Sequence, residues 1–289
     1  MASRSRTGSR RDPPSRRRAS GLGRRNQRSD LTARVLAALP AIAFAVFIVY
    51  EGGWIFTLGV AALGCVCLHE LFALYRRTRP TRLAGFIGLL GVVVAAHAGT
   101  PRQVLLALVL SVPLIFALTL AAPRRSNATA SIAVTLLGVV WIGLAVAHAV
   151  LLRDLPHGGG IVVDVLVGTF VGDTGAYLGG RAFGRRLLAP SISPNKTLEG
   201  LGIGIVSGIV GVWFAGLYQD WLHSDRALLL GLGVALAAPV GDLFESLVKR
   251  DAGSKDAGRL FGPHGGALDR LDAALFAVIA GYYIWRLML

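Results

Sequence analysis

The chain has 289 residues, of which 54% are hydrophobic and only 16% charged, where a typical soluble domain is about a quarter charged. Its formal net charge is nevertheless +14. A soluble globular enzyme is excluded by the first figure, and the second requires that the basic charge be concentrated somewhere.

It is concentrated first at the N terminus. Residues 1–30 hold ten arginines against Asp12 and Asp30, which leaves 20 basic and 14 acidic residues in the rest. This segment reads as a disordered, arginine-rich cytoplasmic arm. It does not read as a signal peptide, because its basic region is too long and no small-residue cleavage site follows a short apolar core. No aromatic residue is interleaved with the arginines, so nucleic acid is not an expected partner.

Apolar windows of bilayer-spanning length follow at roughly 33–50, 54–75, 83–98, 103–122, 128–152, 161–178, 200–219, 226–247 and 268–288. The expected fold is therefore an all-α polytopic integral membrane protein of about nine helices. Residues 31–160 supply about five of them, and residues 161–289 form the C-terminal catalytic half with its polar loops. Arg76, Arg77, Arg79 and Arg82, then Arg124 and Arg125, then Arg181, Arg185, Arg186 and Lys196, and finally the run from Lys249 to Arg259 all fall in alternate loops. With nine spans these loops share a side with the arginine arm. The positive-inside rule then predicts a cytoplasmic N terminus, an external C terminus and location in the cell membrane. Cys65 and Cys67 lie inside the second window and are expected only to pack. His69 and Glu70, at the end of that window, read as an interfacial pair.

Gly200, Gly204 and Gly208 are four apart and make a small-residue face, suited to close helix packing within the chain or across a dimer. Carboxylates inside spans are costly and mark a bundle interior or a site. Three places carry them: Asp173; Asp242 with Glu245 on one helical face; and Asp269 with Asp272 three residues later. All sit at the cytoplasmic ends of their spans. Hard oxygen donors from separate helices at one depth suit Mg²⁺, which completes its shell with water and substrate phosphate. Lys249, Arg250, Lys255, Arg259 and His264 stand ready to neutralise a polyphosphate, and Gly265 and Gly266 allow close backbone approach. The chain has three lysines in all, Lys196, Lys249 and Lys255, and each flanks these acids. A compact ammonium is a point donor that arginine does not replace.

The stretch SLVKRDAGSKDAGRLFGPHGGALDRLD, residues 246–272, resembles the signature of the phosphatidate cytidylyltransferase (CDP-diacylglycerol synthase) family. GDTGAYLGGRAFGRRLLAPSISPNKTLEG, residues 172–200, and PVGDLFES before the signature are similar to that family as well. Ala267 stands where the family commonly has a bulkier aliphatic residue. The resemblance implies the reaction of CTP with phosphatidate to give CDP-diacylglycerol and pyrophosphate, with Mg²⁺ as cofactor and a second metal or monovalent cation left open. It implies Asp242 and Asp269 as principal metal ligands, supported by Asp173 and Asp272. Asp242, Asp269, Asp272, Lys249 and Lys255 are the expected catalytic set. Ser193, Lys196, Thr197, Arg250, Arg259, His264, Gly265 and Gly266 are expected to bind CTP or the lipid headgroup. A homodimer is suggested by the resemblance and the glycine face together. A transferase acting on another lipid phosphate, such as a polyprenyl phosphate, and a cation-coupled transporter are the alternatives.

Overall fold

The computed structural model describes residues 40, 42–122, 127–258 and 265–289. The arginine arm, Arg124 and Arg125, and the predicted site residues Arg259 and His264 lie outside them. Residues 48–289 form one compact unit, and residues 1–47 are a separate one, described only at the opening of the first helix.

Among the described residues, nine apolar segments fall within or across the hydropathy windows. Seven are long and apolar enough to cross a membrane, and two are shorter, α1 (Ile42–Glu51) and α3 (Arg82–His97). The long ones begin with α2 (Gly53–Leu74) and α4 (Pro101–Leu120). Thr100 caps α4 by accepting from the Gln103 amide, and Pro101 opens it where no N–H is needed. The third is a composite of α5 (Ala128–Gly138), a π-helical turn at Val139–Gly143 and α6 (Leu144–Asp154). Then come α7 (Gly158–Phe183), α8 (Leu198–Gly216), α9 (Ser224–Asp251) and α10 (Leu268–Met288). Twenty-two residues of helix rise about 33 Å, enough for the hydrocarbon layer. An antiparallel hairpin of β1 (Leu187–Ala189) and β2 (Ser193–Thr197) joins α7 to α8, an element the polar loop did not announce.

Close approach in the C-terminal half depends on glycine. A Cβ on Gly200 would lie 2.8 Å from the Ala176 carbonyl, one on Gly204 2.9 Å from that of Gly172, and one on Gly208 3.0 Å from that of Gly168. The glycine face of α8 is therefore spent on α7, which answers it with Gly168, Gly172, Ala176 and Gly180. On α9, a Cβ at Gly241 would come 2.5 Å from the Asp272 carbonyl of α10. That contact draws the backbones together beside Asp242. The interior is filled by Trp285, Tyr282, Phe72, Leu68 and Leu71, all fully buried. Cys65 and Cys67 are free, and Cys67 packs in the core, as expected.

Candidate active site

Five helix ends converge at one end of the bundle: the C-terminal ends of α2, α7 and α9 and the N-terminal ends of α8 and α10. The hairpin lies against α9, because Arg250 Nε donates to the Ile192 carbonyl at 3.2 Å. Tyr75, just past α2, donates to the Val248 carbonyl at 3.1 Å and to Asp251 Oδ2 at 2.7 Å. Burial, reinforced by that bond to Asp251, holds the Tyr75 hydroxyl above its ordinary pKa, so it stays a donor at neutral pH.

Asp242, Glu245 and Asp272 meet here. One carboxylate oxygen of each lies within 4.8 Å of the others, the one such acid group among the described residues. The i, i+3 spacing puts the first two on one face of α9, and the Gly241 contact brings that face to Asp272. Glu245 is 1% exposed, and its Oε1 has no hydrogen-bond partner among the described residues.

Two lysines flank the group. Lys196 Nζ, reaching from β2, is 2.5 Å from Asp242 Oδ2. Lys249 Nζ is 2.5 Å from Glu245 Oε2 and 2.8 Å from Asp269 Oδ1. Four carboxylates and two ammoniums leave a formal charge of −2. Like charges this close and this buried repel unless neutralised. A hard dication fits the three oxygen donors, the orphaned Glu245 oxygen and the residual charge alike.

Asp269 does not share that position. Its Oδ1 accepts from Lys249 and its Oδ2 from the Gly266 amide at 2.7 Å, while the Ala257 amide lies 3.1 and 3.0 Å from the two oxygens. It staples the glycine loop to α9, and the structure groups Glu245, instead of Asp269, with Asp242 and Asp272. Spacing had placed Glu245 on Asp242's face; nothing in the sequence showed that Asp269 would turn back to its own loop.

The other expected residues are distributed as follows. Asp173 is exposed on α7, within electrostatic range of Asp242 and Lys196. Ser193 is half-buried on the hairpin beside Lys196. Thr197 caps α8, accepting from the Gly200 amide at 3.1 Å. Arg250 braces Ile192 and the Ser254 carbonyl, and Lys255 is exposed on the loop. Gly265 has φ +86°, a left-handed conformation that favours glycine.

Glu70 was missed. The expected interfacial partner of His69 is 5% exposed and accepts from the Ala267 amide at 3.1 Å and the Leu268 amide at 2.8 Å. A carboxylate within an apolar helix was the available signal; its partners, 197 and 198 residues away, were not readable.

The fold and the site together define a polytopic membrane protein with a lysine-flanked cluster of acids at one end of its helices. The chain belongs to the cytidylyltransferase family, whose sequence profile matches residues 32–288. It is 30% identical to a phosphatidate cytidylyltransferase of Synechocystis sp. over 296 residues, covering 89% of this chain and 97% of that protein. It is 29% identical to a phosphatidate cytidylyltransferase of Bacillus subtilis, with 89% and 98% covered. A phosphatidate cytidylyltransferase of Mycobacterium bovis is 34% identical over 167 residues, 58% of this chain and 55% of that protein.

Proposed function

We propose that this protein is a phosphatidate cytidylyltransferase, joining CTP and phosphatidate to give CDP-diacylglycerol and pyrophosphate. Beyond family membership, the observation that carries the reading is the meeting of Asp242, Glu245 and Asp272 between Lys196 and Lys249. A lipid phosphate arrives largely ionised, so the reaction needs no strong base. The barrier lies in bringing two anions together in line.

Asp242, Glu245 and Asp272 are the residues to hold magnesium. When bound, the ion supplies charge neutralisation to the reacting phosphates. Lys196, on the hairpin, would donate to a substrate phosphate once it releases Asp242. Lys249, held by Glu245 and Asp269, adds fixed positive charge beneath the same space. The lipid phosphate attacks the α-phosphorus of CTP, and pyrophosphate leaves toward Arg250 and Lys255. With the arginine-bearing loops at this end, the site faces the cytoplasm and the chain lies in the cell membrane. A homodimer now rests on the resemblance alone, because the glycine face is taken up by α7.

The test is CTP-dependent lipid cytidylylation by the purified protein in detergent, with and without Mg²⁺, offering phosphatidate or a polyprenyl phosphate. Mg²⁺-dependent CDP-diacylglycerol formation is expected. Turnover on the polyprenyl acceptor alone would move the reading to another lipid phosphate. No turnover on either would overturn it.

A further inference from the structure

Burying a carboxylate such as Glu70 in an apolar helix is costly without strong compensation. Its compensation lies on another helix. Both oxygens accept from amides at the start of α10, those of Leu268 and of Ala267 just before it, at the end where backbone N–H groups lack intrahelical partners and the helix dipole is positive. No side chain of its own caps α10, so Glu70 does so from α2. The carboxylate is also wrapped: a Cβ added to Gly258 or to Gly266 would collide with it. Gly266 is thus explained by Glu70 instead of by a phosphate. The turn held this way carries Asp269, which accepts from Gly266 N, and one turn further Asp272. Tyr75, on the same end of α2, grips the end of α9.

We propose that Glu70 is a positioning residue of the active site, seating the start of α10 so that Asp272 stands level with Asp242 and Glu245. This rests on the cation-binding part of the functional reading. Supporting groups of this kind change metal affinity by roughly ten- to a hundredfold.

The test measures Mn²⁺ binding to the purified full chain without nucleotide or lipid, by loss of the free-ion electron paramagnetic resonance signal. CDP-diacylglycerol formation is followed in parallel. Glu70→Gln keeps the shape but turns an N–H toward an N–H, and should weaken Mn²⁺ binding about tenfold or more. Glu70→Asp, one methylene shorter, should be milder and should partly rescue Gly266→Ala, because it vacates the space the new methyl needs. The double variant should therefore bind Mn²⁺ better than Gly266→Ala alone. Wild-type Mn²⁺ affinity in a folded Glu70→Gln protein, additive losses in the double variant, or no Mn²⁺ binding by the wild type would each overturn the proposal. Failure of the functional reading shows separately, as absent turnover by a wild type that binds Mn²⁺.

Discussion

Lys196 and Lys249 hold carboxylates that a cation would also claim, but they hold them differently. Lys196 reaches Asp242 from a half-exposed hairpin, whereas Lys249 is bracketed by Glu245 and Asp269. Removing the Lys196 charge should then help the ion and harm the substrate. Lys196→Gln is expected to tighten Mn²⁺ binding a few-fold while lowering kcat/KM for CTP by about ten- to a hundredfold, the scale of one charge-assisted hydrogen bond. Parallel losses in both would show that the lysine supports the acids instead of competing at them. Glu245 and Asp269 make a second contrast. Asp269→Asn should cost roughly ten- to a hundredfold in Mn²⁺ affinity, the range of a group that orients ligands, and should raise the KM for CTP by freeing Lys249 and the glycine loop. The sequence placed all these acids near one another, since each lies at the polar end of an apolar window. It did not rank them, because a ligand and a loop staple differ only in where the backbone amides point.

At the level of helices, the α7–α8 contact sets the start of β2 and α8, and with it Lys196. Gly204→Val would push a side chain against the Gly172 carbonyl and the Ala176 backbone. Overpacking of this kind costs about 1–3 kcal/mol. Thermal unfolding in detergent should show a lowered Tm and the activity should fall with it. Gly202→Val is the control, since nothing lies within 4 Å of a Cβ there, and it should change neither. The four-residue glycine spacing was visible in the sequence. Its partner was not, because Gly168, Gly172, Ala176 and Gly180 are equally consistent with lipid or with a second copy. The hairpin at 187–197 was hidden for another reason. Seven polar or special residues in its short strands and turn carry no alternating pattern, and its entry is fixed by the amides of Arg185 and Arg186, accepted by Glu199 Oε2, and by the Leu198 amide donating to the Arg186 carbonyl.

At the scale of the molecule, the hydropathy windows located the apolar helices among the described residues, because in lipid a span must satisfy its backbone internally and so announces itself by length. Sidedness follows from charge. Single cysteines at Arg185 and Asp225, in a chain whose Cys65 and Cys67 are replaced, should react oppositely with a membrane-impermeant thiol reagent applied outside intact cells. Position 225 should be labelled and position 185 protected until the cells are opened. The reverse pattern would put the site on the external face and leave CTP without access. The central claim is that Asp242, Glu245 and Asp272 hold the ion on which cytidylyl transfer depends. Its most direct measurement is the Mg²⁺ dependence of CDP-diacylglycerol formation by wild type and Glu245→Gln. The account predicts turnover that chelation abolishes in the wild type, and in the folded variant a loss of at least about a hundredfold, of the order of 2.7 kcal/mol, with a raised Mg²⁺ requirement. A variant with wild-type turnover and an unchanged Mg²⁺ requirement would contradict it.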